Sequence, residues 1–300
     1  MTRARAPGKI VLSGAYAVLS GAPAIVCAVE RDVLADTALP APLLTEEVAA
    51  ALGPGERAPW FDASALREDG RKLGLGSSAA ILVASLFALE RAAAPHAGEG
   101  ELRERVFARG LEAHRRAQGG GSGIDVASST FGGALVYRLD EGAPSITHVA
   151  LPAALVVEVW VCPSSASTPE LLGKVAALLA RDPGAHARLL GAQASAAADA
   201  ATAVLAGSTQ GVLAALRAQY AALSTLGLAA GAPIVTPELA EVAPLAEASG
   251  GALLPAGAGG GDIAVFVGTS PSPAALRAEL RARSHRALPV GLAARGASAL

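Results

Sequence analysis

Three glycine-rich segments carry residue types that could bind an anion. They are LGLGSSAA at 73–80, QGGGSGID at 118–125 and AGAGGGD at 256–262. Glycine and serine weaken a helix interior, but at a helix start serine caps backbone N–H groups and small residues let an anion approach the positive end of the dipole. Because LGLGSSAA precedes a long Ala/Leu run, it predicts a phosphate-binding loop. One glycine cluster is usually a turn, whereas three beside helix or strand ends favour a site.

The chemistry of a phosphate-binding loop requires further charged groups. None of the three segments has the GxxxxGK[ST] pattern of P-loop enzymes or the GxGxxG pattern of dinucleotide folds. A loop of another kind still needs a cation to offset phosphate charge and a group to orient the acceptor. Lys9 and Asp125 are the candidates by residue type. A buried Lys–Asp pair would keep the aspartate ionised and aim it at a hydroxyl.

The elements that position these residues follow from hydrophobic patterning. β-Branched runs predict strands, and longer apolar or amphipathic runs predict helices. The predicted strands are 9–14, 24–39, 131–139, 155–162 and 263–268, and the predicted helices are 77–94, 99–117, several within 169–230, 239–250 and PAALRAELRARS. Strands precede helices in both halves without regular βαβ alternation, which indicates two α+β domains that meet near residue 150.

Composition excludes several classes of protein. The 300 residues carry 24 basic and 26 acidic side chains, and there is no basic run, so neither a nucleic-acid partner nor an anionic membrane is expected. Cys27 and Cys162 lie in apolar runs and are predicted core residues. The N-terminal residues lack a signal-peptide pattern, and Gly, Pro or charge interrupts every apolar run. The expectation is a soluble cytoplasmic protein.

Three segments together resemble the signature motifs of the GHMP kinases, in the right order. They are APGKIVLSGAYAVLSGAPAI, KLGLGSSAA and PAGAGGGDIAVFVG. The resemblance covers nearly the whole chain. It implies a two-domain α+β GHMP kinase fold, with an S5-domain-2-like N-terminal ATP-binding domain (1–150), a ferredoxin-like C-terminal domain (151–300) and the active site in the cleft between them. It also implies a phosphotransferase that uses ATP and Mg²⁺ on a small metabolite.

Three details resemble the phosphomevalonate kinase branch of that family. They are the lysine of K-x-GLGSSAA (Lys72), the segment HRRAQGGGSGIDVAS and the segment SASTPELLGKV. The mevalonate kinase branch would carry a magnesium-binding glutamate where this chain has His114. The implied reaction is phosphorylation of 5-phosphomevalonate to 5-diphosphomevalonate in the mevalonate pathway of isoprenoid biosynthesis. The alternatives are a mevalonate kinase, another small-molecule GHMP kinase, and a catalytically silent ligand sensor.

The resemblance also implies a role for individual residues. Lys9 would neutralise charge on the transferred phosphoryl group, and Asp125 would act as a base or align the attacking oxygen. The other implied site residues are Gly74, Leu75, Gly76, Ser77 and Ser78 on the ATP phosphates, Ser78 also on Mg²⁺, Gly257, Gly259 and Gly260 in a second ATP loop, and Lys72, Arg116, Ser122, Gly123 and Arg138 on the substrate. A homodimer is possible.

Most of the accessory candidates also have a purely structural explanation. These explanations are a supporting role for buried His114, a solvated loop for Lys72, a cationic helix end for Arg115 and Arg116, a strand end for Arg138, a surface pair with Glu170 for Lys174, and a turn cap for Asp262. The chain also departs from the family pattern at two positions: Ala15 replaces the usual acidic residue or glycine, and Gly120 replaces a lysine. Both departures bear on substrate choice.

Overall fold

The computed structural model describes residues 2–41, 43–68, 70–140, 143–165 and 167–300 and has the predicted α+β class. The strands are β1 (Arg3–Ser13), β2 (Ala24–Pro40), β3 (Pro59–Asp62), β4 (Arg67–Glu68), β5 (Arg71–Lys72), β6 (Ala134–Asp140), β7 (Ala143–Val149), β8 (Val156–Val161), β9 (Ala252–Pro255), β10 (Ile263–Gly268), β11 (Arg286–Leu288) and β12 (Ser298–Ala299). The helices are α1 (Glu46–Ala51), α2 (Ser77–Ala93), α3 (Glu99–Gln118), α4 (Ile124–Phe131), α5 (Thr168–Arg181), α6 (Pro183–Leu205), α7 (Thr209–Ala230), α8 (Pro237–Ala248) and α9 (Ala274–Ala282).

The strands form two larger sheets and one short hairpin. The first sheet has the order β12-β1-β2-β6-β7, with β3 also paired to β2, and the second has the order β11-β8-β10-β9. All pairs in the second sheet are antiparallel. The chain divides into two compact units: unit 1 contains residues 1–10, 26–135 and 290–300, and unit 2 contains residues 11–25 and 136–289. The domain boundary near residue 150 stays a prediction.

The core of unit 1 is built around α2. The apolar run after the glycine loop predicts a helix buried almost all round, and eleven of the seventeen residues of α2 are buried. The amphipathic helix α3 buries Leu102, Val106 and Leu111 on one face. Both helices confirm the prediction from hydrophobic periodicity to within one residue at each end.

Unit 2 has two apolar clusters. In the first, Trp160 of β8 and Phe266 of β10 pack with residues of α8 and α9 against the antiparallel sheet. In the second, residues of α5, α6 and α7 pack together, for example Leu171, Leu189 and Leu226. On the surface of α5, Lys174 Nζ lies 3.2 Å from Glu170 Oε1, which confirms the predicted surface pair.

Three elements are absent from the sequence-based prediction. Helix α1 has a visible start signal, because Thr45 Oγ1 accepts a hydrogen bond from Val48 N, but its six residues are too few for a periodic pattern. Helix α4 is similarly short. Strand β7 occupies part of a segment predicted as a turn. It lies at the end of the sheet order, where pairing with a neighbour overrides weak intrinsic propensity.

The two cysteines and the membrane prediction have different outcomes. Cys27 and Cys162 are buried and free, as predicted, and burial raises the pKa of Cys27 to about 12. One helix among the described residues, α7, is long and apolar enough to span a membrane by length and composition, and half of its most apolar window is buried in the protein. Core helices pass the same test, so the expected absence of a membrane partner stays a prediction.

Candidate active site

The LGLGSS loop presents backbone groups at the start of α2. Its leucines and glycines alternate: Leu73 and Leu75 are buried, while Gly74 and Gly76 have φ values of 71° and 75°. The buried leucines fix the loop, and the glycines allow the left-handed turns between them. Gly76 is the N-cap and has no side chain to cap the first turn. An anion at this end would therefore meet backbone N–H groups and the positive end of the helix dipole.

Lys9 lies directly against this loop. Its backbone N donates to Leu75 O at 2.8 Å, and its Nζ donates to Gly74 O at 3.4 Å. A Cβ on Gly76 would lie 2.9 Å from both Cγ and Cε of Lys9, so the missing side chain of Gly76 is what gives the lysine its path. The structure thus brings together one predicted catalytic residue and the predicted phosphate loop.

Ser78, in the first turn of α2, is the predicted Mg²⁺ ligand. Its Oγ donates a hydrogen bond to Glu47 Oε2. A half-buried hydroxyl at this position fits Mg²⁺, which prefers oxygen ligands and usually keeps waters and nucleotide phosphates as its other ligands. Among the described residues, no group of three or more His, Cys, Asp and Glu side chains could hold a metal ion by itself. A metal here would therefore depend on the bound nucleotide.

Asp125 lies in the first turn of α4 and faces His114. Asp125 Oδ1 is 3.8 Å from His114 Nε2, and His114 Nδ1 is 3.7 Å from Glu47 Oε1. Glu47 and His114 are buried, whereas the side chain of Asp125 keeps 23% of its surface exposed. The three side chains come from α1, α3 and α4 and form a row that ends at the accessible carboxylate of Asp125.

The electrostatics of this row oppose the effect of burial. Burial alone would raise the pKa of Glu47, but its contacts with His114, Ser78 and Gln118 together hold that pKa below its usual range. Burial alone would lower the pKa of His114, but contact with Glu47 and the charges of Asp125 and Glu47 raise it. Both shifts favour charged side chains, so the row is an anion–cation–anion arrangement.

The second glycine loop lies in unit 2, between β9 and β10. Gly257, Gly259 and Gly260 have φ values of 73°, 78° and 76°. Two hydrogen bonds hold the loop: Tyr16 Oη donates to Ala258 O at 2.6 Å, and Gly260 N donates to Ile234 O at 2.9 Å. These bonds hold a chain segment whose backbone is accessible only to glycine.

Asp262 ends this glycine loop and stabilises the turn. Ser165 Oγ donates to its Oδ1 at 2.7 Å, and its backbone N donates to Ser164 O at 3.0 Å. These contacts agree with the structural explanation of Asp262.

Known proteins share both the loop sequence and the architecture. Residues 67–133 match the family model described as the GHMP kinases N terminal domain. Over its whole length the chain superposes on the Streptococcus pneumoniae phosphomevalonate kinase in complex with phosphomevalonate and AMPPNP, with a TM-score of 0.76 at 17% identity, covering 97% of this chain and 100% of that one. The chain has the GHMP kinase fold. The predicted resemblance and fold are therefore confirmed.

Two curated relatives are similar to this chain. A phosphomevalonate kinase of Streptomyces sp. (strain CL190) is 28% identical over 87% of this chain and 88% of the relative. A mevalonate kinase of Archaeoglobus fulgidus is 32% identical over 60% of this chain and 65% of the relative. The chain is thus similar to members of a phosphotransferase family from two branches, one for each of the two substrates considered from sequence.

The remaining site candidates of this GHMP kinase fold occupy varied positions. Ser122 and Gly123 precede α4: Ser122 Oγ accepts from Ile124 N at 3.4 Å, and Gly123 is the left-handed N-cap. In unit 1, Lys72 is exposed on β5, and Arg116 donates to Ala50 O while lying 3.6 Å from Glu112. Arg116 therefore ties α3 to α1, as its structural explanation requires. In unit 2, Arg138 is exposed on β6. Their roles as substrate ligands stay predictions.

Glu47 is the site residue that sequence reasoning missed. The signal that could have found it is the TEEV start of α1, which places two glutamates in the first turn of a helix. That signal locates a helix, but it does not indicate that one glutamate is buried against Ser78 and His114.

The glycine loop of unit 2 allows a matched test. Gly257→Ala and Gly259→Ala impose the same unfavourable φ, but a Cβ at 257 meets nothing within 4 Å, whereas one at 259 would lie 2.2 Å from Ile234 O. We expect Gly259→Ala to weaken ATP binding by at least about tenfold, because the backbone clash displaces the loop, and Gly257→Ala to weaken it less than about threefold. Isothermal titration with a non-hydrolysable ATP analogue measures both. Equal effects would contradict the role of the loop.

Proposed function

We propose that this protein transfers the γ-phosphoryl group of ATP to 5-phosphomevalonate. The observation that carries the proposal is Lys9 lying on the Gly74–Ser78 loop, because a cation beside uncapped helix N–H groups is what a polyphosphate needs. The choice of acceptor is supported by the phosphomevalonate kinase of Streptomyces, which is similar along most of the chain.

Each residue has a defined task in this reaction. An oxygen of the acceptor attacks the γ-phosphorus, and the bond to the bridging oxygen of ADP breaks. Lys9 offsets the charge that develops on the transferred group. The acceptor phosphate of 5-phosphomevalonate is already anionic, so the task of Asp125 is to align the acceptor rather than to remove a strongly held proton. Ser78 would help to hold Mg²⁺, which neutralises phosphate charge when bound.

Mevalonate is the second candidate acceptor. It is favoured by the Archaeoglobus fulgidus relative, and it would require Asp125 to accept a proton from an alcohol. A mevalonate kinase should not depend on Lys72 or Arg138, because its acceptor lacks the phosphate that these cations would bind. The two candidates therefore differ in which substitutions they tolerate.

A coupled assay of ADP release separates these possibilities. The purified protein would be given Mg²⁺ and ATP with mevalonate, 5-phosphomevalonate, homoserine or galactose in parallel. We expect turnover with 5-phosphomevalonate, and we expect Lys72→Met to raise the KM for that acceptor at least about tenfold, since a charge-assisted contact is lost. Lys174→Met is the matched control, because Lys174 pairs with Glu170 on α5. Turnover with mevalonate alone would overturn the acceptor, and ATP binding without turnover would favour a sensor.

A further inference from the structure

Glu47 is a buried carboxylate that no expected step of the reaction uses. It is 5% exposed, yet every polar contact that surrounds it is specific: its Oε2 accepts from Ser78 Oγ, and its Oε1 accepts from Gln118 Nε2 at 2.8 Å. A carboxylate is rarely buried to this extent unless it is paired. Its remaining neighbour is the imidazole of His114 at 3.7 Å.

His114 is enclosed as tightly as Glu47. Only 3% of its surface is exposed, and a Cβ on Gly121 would lie 3.2 Å from its Nε2, so the loop before α4 covers the ring edge that faces Asp125. The charged groups that act on the ring are Glu47 from α1, Asp125 from α4 and, with the opposite effect, Arg115 from α3 itself. Two carboxylates on opposite ring nitrogens leave the imidazole one favourable state, the cation.

We propose that Glu47 and His114 are positioning residues for Asp125: Glu47 orients the His114 ring as a cation, and that cation holds the Asp125 carboxylate toward the acceptor. The proposal rests on the proposed phosphoryl transfer. Neither Glu47 nor His114 needs to touch a substrate. Of the three side chains, Asp125 is the one with appreciable exposure, and its geometry is set from behind.

The same carboxylate also joins the two halves of the site within unit 1. Through Ser78, Glu47 contacts the first turn of α2, beside the phosphate loop, and through His114 it reaches the first turn of α4. Helix α1 thus links the residues that would hold the nucleotide to the residue that would align the acceptor. A displacement of about 1 Å in such a constellation can cost about 10²-fold in rate.

The charge on His114 predicts a direction for the pH dependence. Its pKa in the folded protein is raised, so the cation persists above the ordinary value near 6.5. As pH rises through that raised pKa, the proton is lost, and Asp125 and Glu47 no longer share a cation. The stability that the row contributes is therefore fully present below about pH 6.5 and is lost on the alkaline side, together with the alignment of Asp125.

The first test does not depend on turnover. The five histidines would be isotope-labelled and titrated by NMR, with His114 assigned by its absence in His114→Gln. We expect the His114 resonance to titrate above the ordinary value near 6.5, and Glu47→Gln to lower its midpoint. A midpoint at or below the ordinary value, or one that Glu47→Gln leaves unchanged, would overturn the proposal even if the enzyme is active.

The second test separates positioning from folding. We expect Glu47→Gln to lower kcat by about 10- to 100-fold, to change the KM for ATP less than about threefold, and to shift the alkaline limb of the kcat profile to lower pH. Glu46→Gln, on the exposed side of the same helix, is the matched control and should leave kcat and its pH profile unchanged.

The two tests also distinguish failure of this proposal from failure of the proposed function. A fall in kcat that follows a loss of melting temperature without any shift of the pH profile would contradict positioning. His114→Gln gives the same test if Glu47→Gln does not fold. Absence of turnover with every acceptor would overturn the proposed function, whereas the NMR titration would still decide the state of the row.

Discussion

Replacing Asp125 with asparagine is expected to lower kcat by about 10²- to 10⁴-fold. Asparagine keeps the size of the side chain and its ability to accept a hydrogen bond from Val126 N, which the carboxylate accepts at 3.0 Å. It removes the negative charge that faces His114 and the acceptor. Because Asp125 does not belong to the α2 loop, we expect ATP affinity to change less than about threefold.

The measurement is a steady-state assay combined with titration of a non-hydrolysable ATP analogue. Asp199→Asn is the control, since Asp199 is an exposed residue of α6 and the same charge is removed there. A variant that binds the analogue normally and loses turnover supports the assigned role. An Asp125→Asn variant with nearly normal kcat would remove Asp125 from the catalytic residues and would favour ligand sensing over phosphoryl transfer.

Replacing Gly76 with alanine is expected to lower kcat/KM by about 10²-fold through Lys9. The new Cβ would lie 2.9 Å from Cγ and Cε of Lys9. The backbone of the loop is fixed by buried Leu73 and Leu75, so the flexible lysine side chain is the part that moves. Its ammonium group then leaves Gly74 O and the position where it would meet the transferred phosphoryl group.

Gly55→Ala is a close control for this substitution. Gly55 has a φ of 79°, against 75° for Gly76, but a Cβ there meets nothing within 4 Å. Both variants should lose about 1–2 kcal/mol of stability, because alanine is strained in the left-handed region. Thermal unfolding measures that common cost, and the kinetic assay measures the difference. Equal activity in the two variants would mean that the position of Lys9 does not matter.

Local features of the fold were predictable from sequence. The run from Ser77 is apolar almost all round and follows two glycines, which together predict a buried helix with a backbone-lined N-terminus. The surface pair of Lys174 with Glu170 follows from spacing alone. Such features are decided within a few residues along the chain, where helix and turn geometry fix the neighbours.

Helices of fewer than three turns were not predictable in the same way. Neither α1 nor α4 contains enough residues to show a period, although each has a recognisable start. Their stability comes from packing against other elements rather than from propensity. Because Glu47 and Asp125 lie in the first turns of these two helices, the uncertainty about short helices became an uncertainty about the site.

The sequence by itself determined the candidate loops, Lys9 and Asp125, and the resemblance to the GHMP kinases, because residue type and short-range order carry that information. Only the tertiary structure placed Glu47 against Ser78, which is 31 positions further along the chain, and put His114 between two carboxylates. The physical reason is that a buried charge is stable only with partners, and helix packing chooses those partners without regard to sequence distance.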